Sequence, residues 1–138
     1  MQDKKVLTFG VYDLLHIGHI NLFRQARLLG DSLTVAVQDG DYILKYKPEA
    51  KIVNSTGERL IMVSSIRFVD KVVVYRDVDI DIQKFDFDIF AKGPDQNHAG
   101  FQRAIAWCKE NGKEVMTIPR TEGISSSLLR KFIDISEL

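Results

Sequence analysis

Two histidines three residues apart, His16 and His19, with Gly18 between them, are the side chains of this chain best suited to chemistry on an anion. A pair of imidazoles can donate hydrogen bonds to phosphate oxygens as negative charge builds up on them. On a helix, a three-residue spacing puts both rings on one face, within reach of one ligand. The residues leading into the pair are Gly10-Val11-Tyr12-Asp13-Leu14-Leu15. Gly10 lets the backbone turn away from a preceding strand, and a helix starting here offers free N–H groups and the positive end of its dipole to an anion. Gly18 removes a side chain where a bulky group has to approach. Taken alone, such a pair is also what a surface, a helix cap or a metal half-site lacking its third ligand looks like. The strand, Gly10 and Gly18 tip the balance toward a phosphate site.

Further cations and hydroxyls fall where they can complete such a site. Arg120 follows a short β-prone run, and Ser125, Ser126 and Ser127 supply hydroxyls and N–H groups at the expected start of a last helix. They form a second anion cradle that can face the first, so a triphosphate can bridge the two. A surface ion pair for Arg120 and plain N-capping for the serines are the simpler alternatives. Lys45 and Lys47 stand in a polar stretch, where an ammonium is a suitable point charge for phosphate, or else simply solvated. Arg59 and Arg67 are eight apart on one expected helix and nearly share a face. The chain has no Gly-x-x-x-x-Gly-Lys-Ser/Thr loop, which disfavours a P-loop kinase.

The elements that must position these groups follow from periodicity. Residues 6–9 are a β-prone run ending at Gly10, residues 14–29 carry apolar side chains at helical spacing until Gly30, and residues 32–37 are β-rich again. These three make a βαβ unit and require a parallel sheet. Residues 39–57, lysine-bearing and broken by Pro48, read as a mobile loop over the sheet. Residues 58–69 return to helical spacing, and 71–75 are a nearly continuous β-branched run typical of a buried strand. Residues 76–87 read mostly as loop or short helix. Then come a strand at 88–91, a helix at 100–111 ended by Gly112, a strand at 114–118 and a final helix at 125–135. The expectation is one α/β domain over residues 1–138, a Rossmann-like open parallel sheet with helices on both faces. Ligands in such folds collect at the carboxyl ends of the strands, where the strand order reverses.

Composition narrows the function. Nineteen basic and nineteen acidic side chains cancel, so the chain lacks the global positive field that non-specific nucleic-acid binding uses, and no aromatic–basic interleaving suggests such a partner. The single cysteine, Cys108, sits in the apolar run Ala104-Ile105-Ala106-Trp107-Cys108 and suits a reducing compartment. No long apolar segment and no leader-like start indicate export or membrane insertion, so a cytoplasmic protein is expected.

The string Phe9-Gly10-Val11-Tyr12-Asp13-Leu14-Leu15-His16-Ile17-Gly18-His19 resembles the signature loop of the His-x-Gly-His nucleotidyltransferases, more narrowly the bacterial glycerol-3-phosphate cytidylyltransferases. Ile66-Arg67-Phe68-Val69-Asp70 is similar to that family's second helix end, and Arg120-Thr121-Glu122-Gly123-Ile124-Ser125-Ser126 to its late signature. The three matches come in the same order and cover nearly the whole chain. The resemblance implies in-line attack of an acceptor phosphate on the α-phosphorus of CTP, with loss of pyrophosphate and no covalent enzyme intermediate. It implies that His16, His19, Lys47 and Arg120 are catalytic, and that Phe9, Gly10, Val11, Tyr12, Asp13, Gly18, Asp95, Thr121, Gly123, Ile124, Ser125, Ser126 and Ser127 hold the nucleotide. Lys45, Arg67, Arg76 and Gln96 are then the acceptor contacts, with Arg59 structural. Magnesium is expected to ride on the phosphates of CTP, with help from Asp13 through water and no dedicated protein cage. A homodimer is expected from the same resemblance and from an apolar second helix richer than one sheet face needs.

Two segments depart from the glycerol-3-phosphate pattern, both on the acceptor side. Residues 76–87 are shorter and lack its Trp- and Lys-bearing form. Lys92-Gly93-Pro94-Asp95-Gln96-Asn97-His98 replaces its Met-Gly-Asp-Asp-Trp, with Asp95 matching the second aspartate. Gln96, Asn97 and His98 bring groups that both donate and accept hydrogen bonds, which favours a sugar, polyol or amino-acid-amide phosphate of a surface-polysaccharide pathway over glycerol 3-phosphate. An adenylyltransferase of the same superfamily and a nucleotide-binding regulatory module without turnover are the rival readings.

Overall fold

The computed structural model describes residues 3–120. The element order is β1 (Lys5–Gly10), α1 (Ile17–Leu28), β2 (Ser32–Gln38), α2 (Gly40–Tyr46), α3 (Thr56–Ser64), β3 (Lys71–Tyr75), α4 (Val78–Asp81) continued by a 3-10 turn at Ile82–Lys84, β4 (Ile89–Lys92), α5 (Ala99–Glu110) and β5 (Glu114–Thr117). The five strands form one sheet in the order β3-β2-β1-β4-β5, and every neighbouring pair is parallel.

Alternation along the strands divides the core in two. Val6 on β1 faces Phe23 and Ala26 of α1 and Val63 of α3, together with Leu33, Val35 and Val37 of β2. Leu7 and Phe9 face the other way, onto Ile82, Phe101, Ala104 and Cys108. The helices therefore cover both faces, the Rossmann-like arrangement that the βαβ pattern predicts. Because β1 runs out to β2 on one side and β4 pairs on its other side, the strand order reverses between β1 and β4, and a crevice opens beyond their carboxyl ends.

Three local expectations are corrected. The first helix begins at Ile17 rather than residue 14, with His16 as its N-cap. The stretch read as a mobile loop contains α2, capped by Asp39 through the backbone N–H of Asp41. Strand β3 is β-branched but not buried, since it is the sheet edge and Val74 is exposed. A β-branched run shows only that a residue fits the pleat, and edge strands use the same residues as central ones. The expected final helix at 125–135 lies outside the described residues.

Candidate active site

The loop between β1 and α1 is shaped by two residues other than glycine. Tyr12 and Leu14 have φ of 57° and 54°, the left-handed region that side chains seldom enter. Gly10, expected to make the turn, has a different task. The Tyr12 ring lies back over it, and a Cβ at Gly10 would come within 2.5 Å of that ring. The ring is buried, edge-on to Phe23 and His19, and its burial pushes the hydroxyl pKa well up.

Two buried polar groups clamp the rest of the loop. Both carboxylate oxygens of Asp13 accept backbone N–H groups, from Val53 at 2.8 Å and Asn54 at 2.9 Å, tying the loop to the segment before α3. Asp13 therefore holds backbone rather than standing ready for a metal-bound water. Among the described residues no three His, Cys, Asp or Glu side chains come together as a cation cage. The described side chains do not fit a protein-held magnesium. Arg59, fully buried on α3, donates to the carbonyls of Val11 (2.9 Å), Gln38 (2.8 Å) and Asn54 (3.2 Å) and to the Thr56 hydroxyl (3.1 Å). One guanidinium thus joins the β1–α1 loop, the end of β2 and the start of α3.

The two histidines meet through a reciprocal cap rather than through helical stacking. His16 Nδ1 accepts from the Gly18 N–H at 3.0 Å, and His19 Nδ1 accepts from the His16 N–H at 3.2 Å. The rings stack with centroids 3.9 Å apart. Since each Nδ1 is an acceptor, each neutral imidazole carries its proton on Nε2, away from the backbone. Burial lowers both pKa values; that of His19 falls to about 4, helped by the neighbouring His16. At neutral pH without a ligand, both rings are uncharged donors.

Around this pair lies a cavity of about 580 Å³ at the β1–β4 crevice. Phe9, Gly10, Val11, Tyr12, Asp13, His16, Gly18, His19, Lys47, Asp95, Gln96 and Arg120 all line it. The sequence-derived set is therefore brought together from β1, its loop, the end of α2 and the β4–α5 and β5 exits. Lys47 is the C-cap of α2. Arg120 is paired with Asp95 at 3.2 Å, and both are well exposed, so the contact is worth at most about 1 kcal/mol. Thr121, Gly123, Ile124 and the three serines lie outside the described residues. Sequence reasoning missed Tyr46, Lys51 and Ile52, which also line the cavity. Their only signal was proximity to Lys47.

The expected acceptor contacts separate. Gln96, which lines the cavity, donates from Nε2 to the Phe9 carbonyl at 2.6 Å and accepts from the Gly93 N–H at 3.2 Å, so its amide also stitches the two sides of the crevice together. Lys45 is exposed on α2 and does not line the cavity. Arg67, exposed and beside Phe68, lies near Asp70, whose N–H bonds the Leu33 carbonyl at the start of β2. That is the amino end of the sheet, away from the histidines. Arg76 lines a second cavity, next to the first.

A parallel Rossmann-like sheet with a capped His-x-Gly-His loop at its reversal point defines a nucleotidyltransferase of the α/β type. The cytidylyltransferase-like family matches residues 7–132. Glycerol-3-phosphate cytidylyltransferase of Staphylococcus aureus is 37% identical over 132 residues, 93% of each chain. The protein of the same name from Bacillus subtilis is 35% identical, over 94% of this chain and 97% of its own. A lipopolysaccharide core biosynthesis protein from Thermoplasma volcanium shares the fold, with a TM-score of 0.70 at 23% identity over 87% of this chain and 98% of its own. The chain belongs to the cytidylyltransferase-like family.

Proposed function

We propose that the protein transfers CMP from CTP to a small phosphorylated acceptor and releases pyrophosphate. The observation that carries this is the stacked, Nδ1-anchored His16–His19 pair facing a cavity that also holds Lys47 and Arg120. An acceptor phosphate oxygen attacks the α-phosphorus in line, and the bond to the β-phosphate oxygen breaks as pyrophosphate leaves with the electron pair. Catalysis of this kind is positioning plus charge stabilisation. The two Nε2–H groups donate to phosphate oxygens as charge grows, and Lys47 and Arg120 neutralise the α- and β-phosphates. Magnesium, in this reading, arrives on the triphosphate. No described helix is long and apolar enough to cross a membrane; the cytoplasmic location belongs to this reading and rests on the sequence.

Pyrophosphate release tests it. With CTP and a panel of phosphorylated polyols, sugars and amino-acid derivatives, turnover is expected with at least one acceptor, and ATP in direct competition is expected to be the poorer donor. Preference for ATP would assign the chain to adenylyl transfer. Absence of release with either nucleotide across the panel would remove the enzymatic reading and leave a regulatory nucleotide-binding module.

A homodimer belongs to the same reading. Ile61 and Met62 are exposed on α3, and Val74 is exposed on the adjacent edge strand β3, an apolar surface that the monomer leaves uncovered. Light scattering at micromolar concentration is expected to give twice the mass of the chain; a monomer mass would discard the dimer.

A further inference from the structure

The cavity around His16 and His19 carries a cation that no sequence pattern assigns. Lys51 lines it, together with Ala50 and Ile52, while Lys45, the first lysine of the Lys-x-Lys pair, does not. The two ammonium groups on this wall therefore belong to Lys47 and Lys51.

The backbone that carries Lys51 is held on both sides of it. Lys47 closes α2 with its N–H on the Ile43 carbonyl at 2.8 Å, and the Ala50 N–H returns to the Lys47 carbonyl at 3.0 Å. Just beyond Lys51 the buried Asp13 carboxylate accepts the Val53 and Asn54 N–H groups, and Arg59 Nε donates to the Asn54 carbonyl at 3.2 Å. Lys51 is thus anchored against the β1–α1 loop before any ligand arrives, which cuts the ordering cost of using its side chain. Among the described residues Arg120 has Asp95 as an ion-pair partner and Lys51 has none. An exposed ammonium on the rim of a cavity, without a carboxylate, is a point charge suited to phosphate.

The shape of the crevice decides which phosphate. A second cavity, of about 620 Å³, opens beside the first between α4 and α5; Lys47 lines both cavities and Lys51 only the first. In an in-line displacement the attacking and leaving oxygens lie on opposite sides of the α-phosphorus. Lys47, at the junction, stands where two phosphates meet. Lys51, confined to the nucleotide's own chamber, stands on the donor alone. There the base and ribose offer uncharged groups, and the β- and γ-phosphates carry the charge. We infer that Lys51 binds the β- and γ-phosphates of the donor and stabilises pyrophosphate as it leaves, a catalytic residue additional to Lys47 and Arg120. The bond from the α-phosphorus to the β-phosphate oxygen breaks with its electron pair going to that oxygen, and Lys51 supplies positive charge while keeping its protons. This rests on the nucleotidyl-transfer reading and goes beyond it by naming the residue that serves the leaving group.

The test uses Lys51→Met and Lys51→Arg in the full chain with magnesium present. Calorimetry gives the affinity for CTP, and displacement of CTP gives the affinities for CMP and for pyrophosphate. In Lys51→Met, CTP and pyrophosphate are each expected to bind about 10-fold more weakly, while CMP, which lacks the leaving phosphates, changes by less than about twofold. Lys51→Arg, which keeps the charge, is expected to stay within about threefold of the parent for all three ligands. The side chain is exposed, so the urea midpoint of either variant should match the parent. CTP affinity unchanged in Lys51→Met overturns the inference. So does an equal loss for CMP and CTP, which would place the ammonium on the nucleoside or α-phosphate, and so does an arginine variant as weak as the methionine one. Failure of the parent to bind CTP at all would instead remove the cytidylyl-transfer reading beneath it.

Discussion

His16→Asn and His19→Asn each lower kcat for pyrophosphate release by at least about 100-fold, some 2.7 kcal/mol of transition-state stabilisation, while the fold stays within about 1 kcal/mol of the parent. The separation of the two effects comes from the cap. In both histidines Nδ1 accepts a backbone N–H, so the side chain has one structural nitrogen and one that can act on substrate. Asparagine keeps an acceptor near the Nδ1 position and is among the best N-cap residues, but it has nothing where Nε2–H was. Alanine at His16 removes both, and is expected to add about 0.5–2 kcal/mol of lost helix-cap stability to the same catalytic loss. Steady-state kinetics and urea denaturation on the three single variants check this. Near-parental turnover in either asparagine variant removes the phosphate-binding role, and a large stability loss in both asparagine variants would show that the cap geometry is not reproduced.

Arg59→Met is expected to destabilise the protein by about 3–5 kcal/mol, although residue 59 does not line the cavity around His16 and His19. The guanidinium has no exposed surface and serves three backbone carbonyls and a hydroxyl. Its desolvation opposes the charge, and the nearby Asp13 and Asp39 offset part of that. Replacing it with the shorter, apolar methionine chain leaves the Val11, Gln38 and Asn54 carbonyls without this donor in a dry environment, each loss costing about 1–3 kcal/mol before relaxation. Arg59→Lys is expected to restore little, because one ammonium cannot reach acceptors spread over three segments as a planar fork does. Denaturation midpoints measure the stability change. Since Val11 belongs to the β1–α1 loop, nucleotide affinity by calorimetry should also weaken in whatever fraction stays folded. A stability change below about 1 kcal/mol would mean that the buried network relaxes around the loss.

The same two sites show how far the sequence reaches. Local information is periodic or covalent, and the chain carried enough of it to determine the alternation of strands and helices, the parallel sheet, the helix end at Gly112 and the placement of the His-x-Gly-His string after a strand. The resemblance through that string supplied the membership that the family match over residues 7–132 establishes. What it could not contain was which partner each polar atom finds. Gly10 reads as a hinge in sequence, yet its bare Cα is required by a ring two residues on that packs back over it. Asp13 and Gln96 read as ligand contacts because carboxylates and amides line sites, but their hydrogen bonds go to backbone 40 and 87 residues away in the chain. Arg59 and Arg67 share a helical face on paper; the helix ends at Ser64, and one guanidinium is buried beside the site while the other lies at the opposite end of the sheet. The chamber between α4 and α5 has no signature, since Asp79 and Arg103 meet only because the strand order sets those helices side by side. Residue type and spacing decide what a segment can form and which chemistry it can carry; long-range packing decides which of its polar groups remain free to use it.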